Sequence, residues 1–364
     1  MNFEVCVSDN VDQVEWNQAL KQNKNSMTYQ TSNWQKMFYG VYGSKPFFIS
    51  VLNSNSKIVG QLAGVIHQKW FWRDANIFSK IIGNRLGLGT LIHWFYGPII
   101  HDKSHQDEII SKMLLSIEKI AEENNVVMIR GISPPLETNL SNSSFENFGY
   151  DLNTGATFII DLKQGVENLY NSLKKDTRYY IRKSEKLDLN FEVVNQRKVL
   201  DEFKNLKITA LKKEGGRRVL NDPTFYDKHW ELLHNEGFEQ LFVARKETTN
   251  MGGILTLPFN NNIIQHALAN APDTDLIGTF LTWNTIKWAI ENKFSTFDFA
   301  GVNPNPQTQK EKGIYFYASK WGGKMYKYSI YTKIPNKLKF KISSGLKNPS
   351  KLSQISKIIK TQEI

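Results

Sequence analysis

Apolar positions along the chain change their period repeatedly, and each change marks an element. Residues 2–7 (Asn-Phe-Glu-Val-Cys-Val) alternate and predict a strand, whereas Val11, Val14 and Ala19 recur at helical spacing and predict a helix over 11–21 capped by Asp9 or Asn10. The stretch Tyr29-Gln30-Thr31-Ser32-Asn33-Trp34-Gln35-Lys36 reads as a helix start with Ser32 as N-cap. Apolar runs at 47–52 and 58–68 flank an Asn/Ser turn and predict paired strands. Over 106–123, Ile109, Ile110, Met113, Leu114, Ile117 and Ile120 share one helical face, and a buried strand follows at 126–129. Helices alternating with strands predict the α/β class.

An Asn/Ser-rich loop at 139–144 and Asn153-Thr154-Gly155 interrupt this pattern and place a domain boundary near residue 155. Beyond it come a strand at 157–162, a strongly basic helical stretch at 169–186, and helices at 199–213 and 224–233. Three strands follow at 240–244, 252–257 and 263–269, then a helix over 278–291 with Thr279 as N-cap. A short apolar run at 294–299 carries one acid, Asp298, and Gly313–Gly323 is an aromatic segment. Residues 325–331 alternate like a closing strand. The organisation expected is 1–155, 156–333 with the returning strand shared, and a basic amphipathic tail over 334–364.

Composition narrows the function classes. A chain of 364 residues, 40% hydrophobic and 12% aromatic, has enough apolar surface for two packed cores and is not a disordered chain. Its single cysteine, Cys6, excludes a disulfide framework or a cysteine-ligated zinc and fits a reducing compartment. The net charge of +11 favours anionic partners: RNA, anionic lipid head groups or a phosphorylated donor. No stretch reaches the roughly 18–20 apolar residues of a spanning helix, and the polar N-terminus lacks a signal-peptide core. A cytoplasmic protein is expected, at most peripheral at a membrane.

Two stretches resemble the FemAB-type acyltransferases, the peptidoglycan bridge-forming, GNAT-fold superfamily. The first is Lys175-Asp176-Thr177-Arg178-Tyr179-Tyr180-Ile181-Arg182-Lys183-Ser184, similar to that family's Lys-x-x-Arg-x-x-(Ile/Val)-(Arg/Lys)-(Arg/Lys)-Ala. The second is Gly313-Ile314-Tyr315-Phe316-Tyr317-Ala318-Ser319-Lys320-Trp321-Gly322-Gly323, similar to Gly-(Ile/Leu)-x-x-Phe-Lys-x-x-Phe-Gly-Gly. Tyr29–Lys36 also resembles the family's entry motif. The resemblance implies two GNAT-like α/β domains in tandem, mixed sheets flanked by helices. It further implies transfer of an acyl or aminoacyl group to an amine acceptor in cell-envelope precursor or polysaccharide biosynthesis. The implied donor is aminoacyl-tRNA or acyl-CoA, with no tightly bound cofactor, and the acceptor is lipid- or nucleotide-linked. Two alternatives stay open: a catalytically silent module that binds an anionic precursor, and an acyl-CoA N-acyltransferase acting on a small molecule.

The chemistry is assigned accordingly. No Gly-x-Ser-x-Gly elbow presents a nucleophile, so direct transfer is expected, with oxyanion donors and a base for the amine proton. Asp298 and His266 are the candidate bases; Asp298 reads equally well as a residue capping the Gly301 turn. The family lysine of the second motif is replaced by Ala318, which leaves Tyr317, Lys320 and backbone N–H groups to hold the oxyanion. Acceptor recognition maps by resemblance to Arg178 and Arg182 and to Trp34 and Lys36, since guanidinium groups grip carboxylate or phosphate in pairs of hydrogen bonds. Gly83–Gly89 misses the GNAT phosphate-loop pattern by one residue, and His101 with His105 reads as a surface loop rather than a metal pair.

Overall fold

A computed structural model describes residues 2–68, 81–83, 85, 87–137, 140–213, 223–271 and 275–347. In chain order the elements up to residue 153 are β1 (Glu4–Ser8), α1 (Gln13–Lys21), α2 (Ser32–Tyr42), β2 (Lys45–Leu52), β3 (Ile58–His67), β4 (Leu91–Trp94), β5 (Ile99–Ile100), α3 (Gln106–Glu123), β6 (Met128–Ile132) and α4 (Asn142–Asn147). The strand β7 (Asp151–Asp161) leads on to α5 (Gly165–Ser172), α6 (Lys175–Ser184), β8 (Asn190–Val194), α7 (Arg197–Lys213), α8 (Pro223–His229), β9 (Gln240–Lys246), β10 (Thr249–Phe259) and β11 (Asn262–Asn270). The last elements are α9 (Asp275–Glu291), β12 (Thr296–Val302), α10 (Gln309–Ser319), β13 (Lys324–Lys333) and α11 (Lys337–Lys347).

The chain forms two compact units, and neither is a single run of sequence. The first holds residues 1–23, 29–153 and 329–364; the second holds 24–28 and 154–328. The first unit's sheet has the strand order β1-β2-β3-β4-β6-β13, and the second unit's has β8-β9-β10-β11-β12-β7. The directions match position by position. β1 to β4 are antiparallel neighbours, β4 and β6 are parallel, and β13 closes antiparallel on β6. Likewise β8 to β11 are antiparallel, β11 and β12 are parallel, and β7 closes antiparallel on β12. A helix, α3 or α9, makes the crossover that a parallel pair requires. Each unit thus closes its sheet with a strand whose sequence lies next to the other unit's segments. The tie is local: Ser133 N donates to Ser329 O and Ser329 N to Ser133 Oγ, both at 2.9 Å, and Tyr331 stacks on Phe145 with ring centroids 3.6 Å apart.

Cores follow the apolar stripes. The six residues of α3 singled out by spacing are all buried and pack on strands of the first sheet. In the second unit Trp283, Ile286 and Ala289 of α9 pack with Phe297, Phe299, Ala318 and Trp321. A Cβ on Gly252 would lie 2.8 Å from Ile277 of α9, and one on Gly253 would lie 2.6 Å from Phe203 of α7. Neighbouring strand residues point to opposite faces, so α9 and α7 cover opposite sides of this sheet.

Several boundaries differ from the sequence expectation. Asp12 rather than Asp9 or Asn10 caps α1, and Thr31 rather than Ser32 caps α2, accepting from Trp34 N. Residues 169–186 break into α5 and α6 at Leu173-Lys174. Thr279 lies inside α9, which begins at Asp275. Gly278 is there for close approach, since a Cβ on it would meet the Asn270 side chain at 2.9 Å. The aromatic segment is helix α10, opened by a capping box in which Thr308 and Glu311 satisfy each other's backbone N–H groups. The basic turn at 214–218 and the tail beyond 347 lie outside the described residues.

Residues 24–28 join the second unit through Asn262, the first residue of β11. Its Nδ2 donates to Lys24 O at 2.8 Å and Ser26 O at 3.2 Å, and its Oδ1 accepts from Thr296 Oγ1 at 2.7 Å. Asn262 is only 3% exposed. Removing this amide strands buried carbonyls, which costs about 1–3 kcal/mol. Asn262→Ala should therefore lower the urea midpoint of unfolding with little change in slope; an unaltered midpoint would show that the strap contributes nothing.

Candidate functional site

The parallel strands β11 and β12 pair only at Asn262–Thr296, Ile263–Phe297 and Ile264–Asp298. Past that point both are distorted. On β11 the register against β10 slips between Gln265 and Ala267, so His266 is the extra residue of a bulge. On β12 the register against β7 slips between Asp298 and Gly301, and Ala300 takes a left-handed φ of 60°. The two strands form a fork open at their C-terminal ends, the end where parallel α/β sheets expose their ligand crevices. The corresponding strands of the first unit pair for one residue more. β4 and β6 pair from Leu91–Met128 to Trp94–Gly131, and Gly97 N then donates to Ile132 O at 3.0 Å. The Trp94 indole lies across Gly131, where a Cβ would come within 2.0 Å of the ring, and donates to Gly97 O at 3.1 Å.

One wall of the open fork is built from α9 and α10. Tyr317 Oη lies 2.7 Å from Thr282 Oγ1 and 3.1 Å from Gln265 Nε2. The Thr282 hydroxyl donates to Gly278 O at 2.7 Å. With that proton spent, Tyr317 donates to Thr282 and accepts from Gln265. Burial pushes the Tyr317 phenol up to about 12, against the hydrogen bonds of Thr282 and Gln265. The phenol therefore keeps its proton at neutral pH and acts as donor and anchor. Lys320, the C-cap of α10, holds its ammonium 5.4 Å above the Tyr317 ring and 5.1 Å from the Trp321 ring. Ala318, at the position of the family lysine, belongs to the buried cluster with Phe299 and Trp321 and is 2% exposed. A lysine there would start from within that core, so the half-exposed Lys320 is the cation that this segment offers.

The basic helix α6 docks on the same end of α10 through Thr177 Oγ1, 3.3 Å from Lys320 O. Arg178 is half-buried beside it. Arg182, one turn on, is exposed, with Nη1 3.3 Å from Tyr170 Oη. Tyr317, Lys320 and Arg178 are thus carried by elements in direct contact.

His266 and Asp298 stand apart from that group. Phe297 and Phe299 face the α9 core, so Asp298 between them points to the other face. It is wholly buried, and its Oδ1 accepts from Ala300 N at 2.8 Å and meets the Thr157 hydroxyl. Asp298 therefore fixes the β12 bulge, the structural role the sequence also allowed. His266 likewise faces α7 and α8, stacking on His229 with centroids 5.2 Å apart. In the first unit Trp34 is 3% exposed, packed against Tyr29 and Phe38, while Lys36 on the same helix is half-buried. His101 bonds Gln61 at 3.0 Å and His105 bonds Asp102 at 2.8 Å, and the described residues hold no group of three metal-ligating side chains. Gly83–Gly89 lies partly outside the described residues.

Gln265, Thr282, His229 and Glu239 were not among the residues the sequence singled out. The one available signal was Gln265-His266, two polar side chains adjacent in the otherwise apolar run Ile263–Ala269.

Residues 171–312 match the family model of an acetyltransferase (GNAT) domain, which places the fork inside a recognised acyl-transfer domain. Among solved structures, FemX aligns at a TM-score of 0.70 with 14% identity, over 90% of this chain and 97% of that one. A tandem GNAT protein from the clavulanic acid biosynthesis pathway aligns at 0.56 with 9% identity, over 92% and 99%. The C-terminal domain of a putative lysylphosphatidylglycerol synthetase from Agrobacterium fabrum aligns at 0.54 with 11% identity, over 94% and 98%. At such identities the likeness is one of fold. No curated protein sequence matches. The chain thus carries a stretch matching a GNAT acetyltransferase domain, within a fold like that of FemX and of the tandem GNAT protein.

The start of α10 carries a pH dependence. Glu311 is held down at about 2, first by the Thr308 N–H, then by Asn303 and the Gln307 N–H. Its carboxylate form is favoured in the folded helix, so its contribution is complete above the ordinary glutamate value of 4.5 and is lost as pH falls towards 2. Acidification through that window should speed amide exchange in the first turn of α10, and Glu311→Gln should abolish that pH response.

Proposed function

We propose that this protein transfers an acyl or aminoacyl group from an activated donor, aminoacyl-tRNA or acyl-CoA, to the amine of an anionic acceptor in cell-envelope precursor or polysaccharide biosynthesis. The observation that carries this reading is the contrast between the two parallel pairs. β11 and β12 part after three pairs with a bulge on each strand, whereas β4 and β6 run four pairs and are tied once more by Gly97 N to Ile132 O. A donor carbonyl can enter only where the sheet opens, so one donor binds per chain, in the second unit.

In this mechanism the amine attacks the donor carbonyl directly. The developing oxyanion is met by the Lys320 ammonium and by backbone N–H groups of the parted strands, with the Tyr317 phenol orienting Gln265 at the rim. Arg178, with Arg182 a turn further out, grips a carboxylate or phosphate of the acceptor. The +11 charge supports an anionic partner on either the donor or the acceptor side. No helix among the described residues is long and apolar enough to cross a membrane, so any contact with a lipid-linked acceptor is made from its surface.

The deciding experiment is transfer of labelled groups to amine acceptors, with tRNA-linked and CoA-linked donors run in parallel. Lys320→Ala should cut turnover by about 10²–10³, the usual cost of one oxyanion donor. Arg178→Ala should weaken acceptor binding by about 1.5–3 kcal/mol, the worth of a charged hydrogen bond. Calorimetric titration with the productive donor should saturate at one equivalent per chain. Binding of an anionic precursor without turnover from any donor would replace this reading with that of a binding module.

A further inference from the structure

The basic helix α6 carries more charge than the mechanism above uses. Its inner face is Thr177, Ile181 and Ser184, all buried, spaced along one side of the helix and packed on α9. On the opposite side Lys175, Tyr179 and Lys183 follow one another at four-residue steps, and Lys186 continues the row in the turn beyond. All four side chains are exposed. Arg178 and Arg182, assigned to the acceptor, form the neighbouring row along one flank. The acids of the helix leave the outer row uncompensated. Glu185 reaches Lys287 of α9 at 3.8 Å, and Asp176 lies in the first turn, where a carboxylate answers the positive end of the helix dipole. Among the described residues, none of Lys175, Lys183 and Lys186 makes an ion pair.

Two tyrosines give this basic face an apolar part. Tyr179 is 52% exposed and Tyr180 47%, with ring centroids 5.4 Å apart at 73°. Rings left this far in water add little to the fold. Amphipathic rings set among lysines, whose long stems carry the ammonium groups aside, suit a helix face that rests at a membrane–water boundary. A single-stranded nucleic acid is held differently, in a groove with open ring faces on which bases stack. Here the row is the outer face of a surface helix, and its tyrosines meet edge to face.

We propose that the outer face of α6 docks the protein on an anionic lipid surface, with Lys175, Lys183 and Lys186 on lipid phosphates and Tyr179 at head-group depth. Thr177, on the inner side of the same helix, lies with Oγ1 3.3 Å from Lys320 O. Docking therefore sets the Lys320 end of α10 about one helix diameter, 10–12 Å, from the lipid. The acceptor amine is then carried by a lipid-linked precursor. That last step rests on the acyltransferase reading above; the docking does not.

The test is co-sedimentation of the full chain with vesicles of phosphatidylcholine alone and of phosphatidylcholine mixed with phosphatidylglycerol. The protein should bind the mixed vesicles, more weakly as salt rises, and should not bind the neutral ones. A lysine near such a surface is worth about fivefold in affinity, so Lys175→Gln, Lys183→Gln and Lys186→Gln together should cost about 100-fold. Tyr179→Ala alone should also weaken binding. Lys198, Lys246 and Lys293 are exposed cations elsewhere on the second unit and provide a charge-matched control. Replaced together by Gln, they should leave binding close to the wild-type level. Three results would overturn the proposal: no preference for anionic vesicles, an equal loss in both triple variants, or an α6 triple variant that loses a single-stranded RNA oligonucleotide while keeping the vesicles. If docking holds and no donor supports transfer, the docking stands and the acyltransferase reading falls. If docking fails while a soluble amine is still acylated, that reading stands and the docking falls.

Discussion

Two parallel strands that pair for three residues and then separate set the terms for the second unit. A parallel pair in a buried sheet satisfies its backbone groups along its whole length, so ending it early needs support on both sides. Asn262 pins the closed end through the 24–28 segment and Thr296. A bulge on each strand then turns the backbone away, one at His266 and one at Ala300, where Asp298 and Thr157 hold the left-handed turn. The polar side chains near the opening owe their positions to this geometry. Gln265 and His266 are neighbours in sequence, yet they meet opposite layers of helices.

The first unit shows what the same strand order does without that separation. There a tryptophan crosses a glycine at the last strand pair, and one more bond, Gly97 N to Ile132 O, follows it. The two units share every strand direction, and their parallel pairs differ in length by one residue and in the bulges on β11 and β12.

Much of this fold is legible in the sequence because apolar periodicity encodes it directly. α3 appears residue for residue, and the three strands β9, β10 and β11 appear in order. Failures arise where a local signal has two meanings. Gly278-Thr279 looks like a helix start, but the glycine serves contact with Asn270, and packing of α9 on β10 outweighs its cost of about 1 kcal/mol. Thr308-Gln309-Lys310-Glu311 carries a capping-box signature that the aromatic residues after it obscure. The site is less legible still. Arg178, Tyr317 and Lys320 come from motif resemblance, whereas the Tyr317–Gln265–Thr282 network and the His229–Glu239 pair join residues that only the tertiary fold brings together. Asp298 has the chemistry of a base, but it is held in place as a turn clamp.

The exchange of closing strands bears on the order in which the chain can complete itself during synthesis. The strand following the first unit's segments, β7, closes the second unit's sheet, and the first unit's own closing strand is the end of β13. A ribosome that has finished residue 153 has therefore released a sheet with β6 still an open edge, and that edge stays uncovered until residues 329–333 emerge. Over that interval the nascent protein presents an unpaired strand edge, the feature that invites wrong pairing between chains. The second unit has β7 to β12 by residue 302, and the β7 edge receives the first half of β13 only from residue 324. The sheet begun first is therefore completed only after nearly all the strands of the second unit have been made.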